Sequence, residues 1–270
     1  MSASLKYTSK LFGARVLIIG GSNGIGYAVA EDVIEHGAAS VVISSSNADR
    51  VAGAVSRLKQ TYSTTNCLIS GFPCDLSQDN TIESNIVALF DAVTANGTQK
   101  LDHIAFTAGE PPVVKPLEEV DIHFIKKTGM IRVFAPILMA KHAIKYLNPG
   151  PASSITLTTG ASSEKPIPNW VVLGSYTAAL KGLVRSLALD LRPIRVNVAC
   201  HGAVDTDLVE GLIGEVLPEQ REQARSGLAK ATATGVIGKP EDAAEAYLYF
   251  MKDRNVTGTS VDTDGGMLLL

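Results

Sequence analysis

The sequence predicts an α/β protein whose core is one doubly wound parallel sheet with helices packed on both faces. Two observations carry this. Short runs of nearly continuous hydrophobicity recur at 16–19, 41–43, 104–106, 155–157 and 196–199, as expected of strands buried on both faces, and segments of helical period separate them. Such alternation calls for right-handed crossovers, which lay helices on both sides of a parallel sheet.

A chain of 270 residues with 46% hydrophobic and 19% charged residues suits one large α/β domain. No Pro/Ser-rich linker, composition shift or internal repeat divides it, so 13–270 reads as a single domain after a tail at 1–12. The 24 basic and 27 acidic residues nearly cancel, which leaves no general electrostatic pull toward nucleic acid or anionic membrane. No stretch approaches the roughly 18–20 apolar residues of a membrane span, and the start of the chain lacks the apolar run of a signal peptide. A soluble, cytosolic protein is expected. Cys67, Cys74 and Cys200 are odd in number and lack metal-ligand spacing, so small core residues are expected and no metal site.

Taken in order, helical segments are expected at 24–36, 48–60, 78–95, 118–147, 174–191 and 240–251. Gly37 ends the first and Pro193 stops the fifth. The least regular stretch, 203–236, contains the charged segment Glu215 to Arg225 and reads either as a lid over a substrate or as a solvated helical excursion.

Arg15 to Gly26 reads RVLIIGGSNGIG: a buried strand, a glycine-rich turn holding Ser22, Asn23 and Ile25, and the start of an amphipathic helix. Gly20 permits the tight turn, Gly24 the approach of backbone to a pyrophosphate, and Gly26 the packing of helix on strand, with the anion on the free N–H groups of the helix start. The strand before and the helix after make the pattern specific. At the end of the second strand, where an acidic residue would bind a ribose 2′-hydroxyl and repel a 2′-phosphate, the chain has Ser44, Ser45, Ser46 and Asn47, with Arg50 one turn on. That favours NADP(H) over NAD; the same residues also suit a polar loop and helix cap.

These motifs join others: Cys74-Asp75-Leu76, Thr107-Ala108-Gly109, Gly202-Ala203-Val204-Asp205-Thr206, Val256-Thr257-Gly258 and Asp264-Gly265-Gly266. In order and spacing, from about Leu11 to Leu270, they resemble the short-chain dehydrogenase/reductase family. The resemblance implies a Rossmann-type sheet of about seven strands, with Asp75 and Leu76 at the adenine, Thr107, Ala108 and Gly109 along the cofactor, and Gly202, Val204 and Thr206 near the pyrophosphate or carboxamide. It also implies a homodimer or homotetramer paired through the helices at about 118–147 and 174–191.

Activity in that family normally needs a Ser, and a Tyr and Lys four apart on one helix; the phenol donates a proton and the Lys lowers its pKa. Alignment through Leu180-Lys181-Gly182-Leu183 puts Leu173 at the Tyr position, Thr177 at the Lys position and Gly160 at the Ser position, with Met130 for the helix-bend Asn. The rival register, Ser163, Tyr176 and Lys181, sets Tyr and Lys five apart, about 140° around a helix instead of about 40°. In the first register Tyr176 is a packed aromatic and Lys181 a surface cation.

Lys165-Pro166-Ile167-Pro168-Asn169-Trp170 and Arg132 resemble a fungal branch of the family that has lost the same triad, the bifunctional reductase/Diels-Alderases of malbrancheamide and paraherquamide biosynthesis. The resemblance implies that Arg132 and Trp170 shape an alkaloid pocket where NADPH reduces an iminium before cycloaddition. Ile167 departs from it, standing where that branch has an Asp. Arg132 also reads as a surface or interface cation, and Trp170 as a staple for its loop. His123, His142 and His201 have no partner visible in sequence; His201 replaces the family's proline before Gly202 and is expected to pack or to border the nicotinamide.

Hydride addition to a ketone creates an alkoxide that needs an acid or oxyanion donor, whereas addition to an iminium neutralises a charge. A chain without the relay therefore suits iminium reduction, or cyclisation by confinement, on an apolar, alkaloid-like small molecule. A conventional NADPH-dependent carbonyl reductase using Ser163, Tyr176 and Lys181, and a non-catalytic dinucleotide-binding protein, are the alternatives.

Overall fold

A computed structural model describes residues 6–8, 10–214 and 217–270. Half of the expected tail and Glu215, the first residue of the charged segment, lie outside these. Seven parallel strands, β1 (Arg15–Ile19), β2 (Ser40–Ser45), β3 (Leu68–Pro73), β4 (His103–Phe106), β5 (Ser154–Gly160), β6 (Arg195–His201) and β7 (Ser260–Thr263), form one sheet in the order β3-β2-β1-β4-β5-β6-β7. The order reverses between β1 and β4, which pair Leu17 with Ile104 and Ile19 with Phe106. A crevice opens at such a switch point, beyond the carboxyl ends of the strands, and doubly wound folds bind their ligands there.

Alternation along each strand sorts side chains to two cores. Val16 and Ile18 of β1 face one core, with α1 (Gly24–Glu35), α2 (Ala48–Thr61) and α9 (Pro240–Lys252). Leu17 and Ile19 face the other, with α3 (Ile82–Thr94), α5 (Ala135–Tyr146) and α6 (Val171–Asp190). Phe90 of α3 is fully buried and stacks on Tyr146 of α5 at 4.9 Å, so its truncation to Ala would cost about 3–5 kcal/mol.

Three helix expectations are corrected. The continuous helix at 118–147 breaks into a 3-10 turn (Leu117–Glu119), α4 (Ile122–Gly129), a π turn (Met130–Phe134) and α5. Asp121 caps α4, its carboxylate accepting from Phe124 N–H at 2.7 Å. Pro136 has no N–H for the Arg132 carbonyl, and Ala135 N–H instead reaches Met130 O, five residues back. The third helix starts at Ile82, because Gln78 to Thr81 are spent in a turn. The fifth expected helix starts at Val171, capped at Trp170.

The stretch 203–236 is a helical excursion: α7 (Asp207–Gly214), a 3-10 turn (Pro218–Gln220) and α8 (Arg221–Lys230). Arg225 of α8 ties it together by pairing with Asp205 at 3.2 Å and with Glu210 of α7. Among the described residues no helix is long and apolar enough to cross a membrane.

Candidate active site

The glycine turn is built by close approach. Gly20 has φ +98°, and a Cβ there would fall within 2.7 Å of Ala108 Cα; one on Gly26 would strike Thr107 Oγ1 and lie 2.9 Å from the Gly20 carbonyl carbon. The turn after β1 thus nests against the end of β4, where Thr107 donates from both N–H and Oγ1 to Ile19 O at 2.8 and 3.2 Å. Gly24 faces Thr206, and Asn23 Nδ2 donates to Asp207 Oδ2 at 2.8 Å, so the segment after β6 closes the far side. Thr206 in turn donates to Val204 O, and Gly202 abuts the backbone of Asp264. Asn23 does not cap α1 with its side chain, and no acidic residue occupies the first turn. The first-turn N–H groups are left for an anion, and the backbone cradle that a Cβ would fill fits a dinucleotide pyrophosphate.

Sequence reasoning missed Arg57. From α2, its guanidinium donates to Ser22 O at 3.2 Å and lies 5.1 Å from the Tyr27 ring centre, bracing the glycine turn from outside. Its signal was its place seven residues after Arg50, on the same face of α2.

At the carboxyl end of β2, Asn47 Oδ1 caps α2 by accepting from Arg50 N–H at 2.8 Å, so the capping role expected of it is real. The Arg50 guanidinium donates to Ser46 Oγ at 3.2 Å, and Ser45 ends β2 half-buried. Asp75 Oδ1 accepts from Ser77 N–H, while its carbonyl accepts from Asn85 Nδ2 at 2.8 Å. Ser46 and Asp75 line one cavity of about 310 Å³ with Phe72, Cys74 and Leu89, and Leu76 is buried beside it. A larger groove of about 500 Å³, lined by Arg15, Ser40, Lys59 and Leu68, lies toward the amino ends of the strands. Ala92 and Val93 of α3 close one side of it, and it shares Phe72 with the smaller cavity but contains neither Ser46 nor Asp75.

The structure does not bring Ser163, Tyr176 and Lys181 together. Tyr176 lies against Gly129 and Phe134 and donates to Ile125 O at 3.0 Å, and burial raises its pKa. Lys181 is no surface cation: it is mostly covered, ion-paired with Glu164 and 3.5 Å from Asp262 of β7. Ser163 Oγ sits 3.9 Å from Cys200 Sγ, a thiol that burial pushes up to about 12. At the aligned positions Leu173 is buried, and Thr177 Oγ1 bonds Gly174 O and Ser162 Oγ within the same turn and loop.

Arg132 is half-buried on the π turn, where burial lowers its pKa, and its Nη2 donates to Glu110 O at 2.6 Å. It therefore fastens the loop after β4, which corrects the surface reading. Trp170 is half-buried, and its carbonyl accepts from Gly174 N–H at 2.6 Å. Ile167 is partly exposed in the same loop. Two histidines gain partners that the sequence hid. His142 bonds Glu83 at 2.7 Å; His201 is buried, stacks on Tyr247 and bonds its hydroxyl at 3.1 Å. His123 is exposed. Cys74 and Cys200 are buried and Cys67 half-buried, all as free thiols.

Comparison with known proteins agrees with this geometry. The model of the SDR-like Rossmann domain matches residues 7–270. The short-chain dehydrogenase/reductase fsr5 of Gibberella fujikuroi is 42% identical over the whole of both chains. The short-chain dehydrogenase/reductase malC of Malbranchea aurantiaca is 41% identical, again over both chains in full. The solved MalC reductase/Diels-Alderase from that fungus superposes with a TM-score of 0.90 over 98% of this chain and 100% of its own. The apo structure of a Pseudomonas aeruginosa short-chain oxidoreductase with an atypical catalytic center, 26% identical, superposes at 0.82 over 95% of this chain and 97% of its own. With the glycine turn, the sheet order and these matches in agreement, the chain belongs to the short-chain dehydrogenase/reductase family of oxidoreductases, whose Rossmann-type fold takes a nicotinamide dinucleotide.

Proposed function

We propose that this protein is an NADP(H)-dependent reductase or cyclase of fungal secondary metabolism that acts on an apolar, alkaloid-like small molecule without a Ser-Tyr-Lys relay. One observation carries the reading: Tyr176, Lys181 and Ser163 are each engaged elsewhere, while Gly160, Leu173 and Thr177 offer neither phenol nor amine. Likeness to a reductase/Diels-Alderase supports it. The bound dinucleotide supplies hydride. The residues of this chain would hold and orient it: the first turn of α1 at the pyrophosphate, Asp75 and Leu76 at the adenine, and Ser46 with Arg50 at a 2′-phosphate. An iminium acceptor asks for no proton donor at that step, which suits a pocket walled by Leu173, Arg132 and Trp170.

We place the protein in the cytosol as a homodimer or homotetramer. Ile137 and Ile144, seven apart on α5, and Leu189 on α6 are exposed apolar side chains that a subunit contact would cover. Light scattering that finds only a 28.4 kDa species at micromolar concentration contradicts the oligomer. The reading itself is tested by offering a hydrophobic cyclic iminium and a hydrophobic ketone with NADPH. Consumption of the iminium with little of the ketone supports it; equal consumption refutes it.

A further inference from the structure

The segment after β7 has no place in the reading above, yet it touches both the loop after β5 and the end of the excursion after β6. Lys165, in the loop that carries Ile167 and Trp170, donates from Nζ to Met267 O at 3.0 Å and to Leu270 O at 2.8 Å. Its neighbour Glu164 is held by Lys181, which also reaches Asp262 of β7. Two adjacent residues thus fasten one edge of the loop to α6, β7 and the segment that follows.

That segment turns sharply. Gly265 and Gly266 both have positive φ, and Asp264 closes the turn by accepting from Gly266 N–H at 2.9 Å and Leu268 N–H at 3.1 Å. Thr234, at the base of the excursion, donates its N–H to Gly265 O at 3.0 Å. A strap over 264–270 therefore joins the loop after β5 to the end of the excursion after β6, on the carboxyl side of the sheet where doubly wound folds bind ligands.

The strap ends in exposed hydrocarbon: Leu269 is 82% and Leu270 63% exposed. Val113, Ile167, Leu208 and Val236, in the segments that follow β4, β5 and β6, are also exposed.

We propose that Leu269 and Leu270 form an apolar wall of the substrate pocket that selects for the hydrocarbon part of the substrate, and that Lys165 is the positioning residue that holds the wall against the substrate loop. The proposal rests on the apolar, cationic substrate class proposed above. A hydrophobic cation packs its alkyl part on the leucines. Lys165 contributes through the backbone it holds, so an arginine there preserves the role.

The test uses binding of the 1-hexyl-3,4-dihydroisoquinolinium cation to the protein loaded with NADP+, which has no hydride to give it, read by fluorescence of Trp170, the single tryptophan. Unsubstituted dihydroisoquinolinium is the control. Leu269→Ser with Leu270→Ser should weaken the hexyl cation about tenfold, by the area rule for a covered leucine, and the control less than about twofold. Lys165→Met should reproduce the loss and Lys165→Arg restore it, with NADPH titration unchanged. Hydrogen exchange in Lys165→Met should rise at 161–170, 232–236 and 264–270. If Lys165→Met fails to fold, the leucine pair decides alone. Wild-type binding of the hexyl cation that the leucine substitutions leave intact overturns the wall and spares the substrate class. No binding of either cation to the loaded wild type overturns both.

Discussion

The Tyr176 hydroxyl donates a hydrogen bond to the Ile125 carbonyl at 3.0 Å, so the one tyrosine of α6 is spent on tying that helix to α4. Tyr176→Phe should therefore leave turnover of the native substrate within about threefold, and lower stability by about 1 kcal/mol for the lost bond. A fall above about a hundredfold in a folded variant that still binds NADPH would reveal a working phenol acid and sink the relay-free reading. Steady-state kinetics with a melting curve decide it.

Arg50 and Ser46 meet at 3.2 Å beside the cavity of about 310 Å³. NADPH should bind more tightly than NADH, and Arg50→Ala should weaken NADPH by roughly tenfold while changing NADH by less than about twofold, since a charge-assisted bond to a phosphate is worth about 1.5–3 kcal/mol. Calorimetric titration of both cofactors measures this. Tighter binding of NADH, or equal affinities, refutes the preference.

Arg132 holds Glu110 O at 2.6 Å from the π turn, fixing the loop after β4. Arg132→Ala should reduce turnover or diastereoselectivity by about tenfold or more, through loss of substrate orientation, with NADPH affinity nearly unchanged. Trp170→Ala should act in the same direction if the pocket proposed above is right. Product analysis by chiral chromatography shows the effect; unaltered rate and selectivity in both variants would remove these residues from the site.

Burial lowers the pKa of His103 and of His201 to about 4. In the unfolded chain each returns to about 6.5, so between those values the unfolded state binds more protons. The stabilising effect of keeping them neutral is complete above about pH 6.5 and is lost as pH falls toward 4, on the order of a few kcal/mol for the two together. The melting temperature should drop over that window. A variant with His201→Phe should drop less steeply than the wild type. Parallel curves would show that His201 does not titrate on unfolding.

The sheet and the glycine turn were legible in the sequence because they are local. A buried strand needs a continuous apolar run such as Val16 to Ile19, and Gly20 and Gly26 are set by steric approach that leaves no alternative residue. The break of the helix at Met130–Phe134 was less legible: Pro136 was in view, but where a proline's displaced carbonyl is re-satisfied depends on the turn before it.

Contacts across long sequence separation were decided only by the tertiary structure. Tyr176 with Ile125, Lys181 with Asp262, His201 with Tyr247 and Lys165 with Met267 each join segments far apart in sequence. Periodicity assigns a face to each such residue, and a face has many neighbours. Sequence therefore determined the sheet and the cofactor cradle by itself, whereas the partners of the polar side chains around the strand ends were chosen by how the helices and loops packed over it.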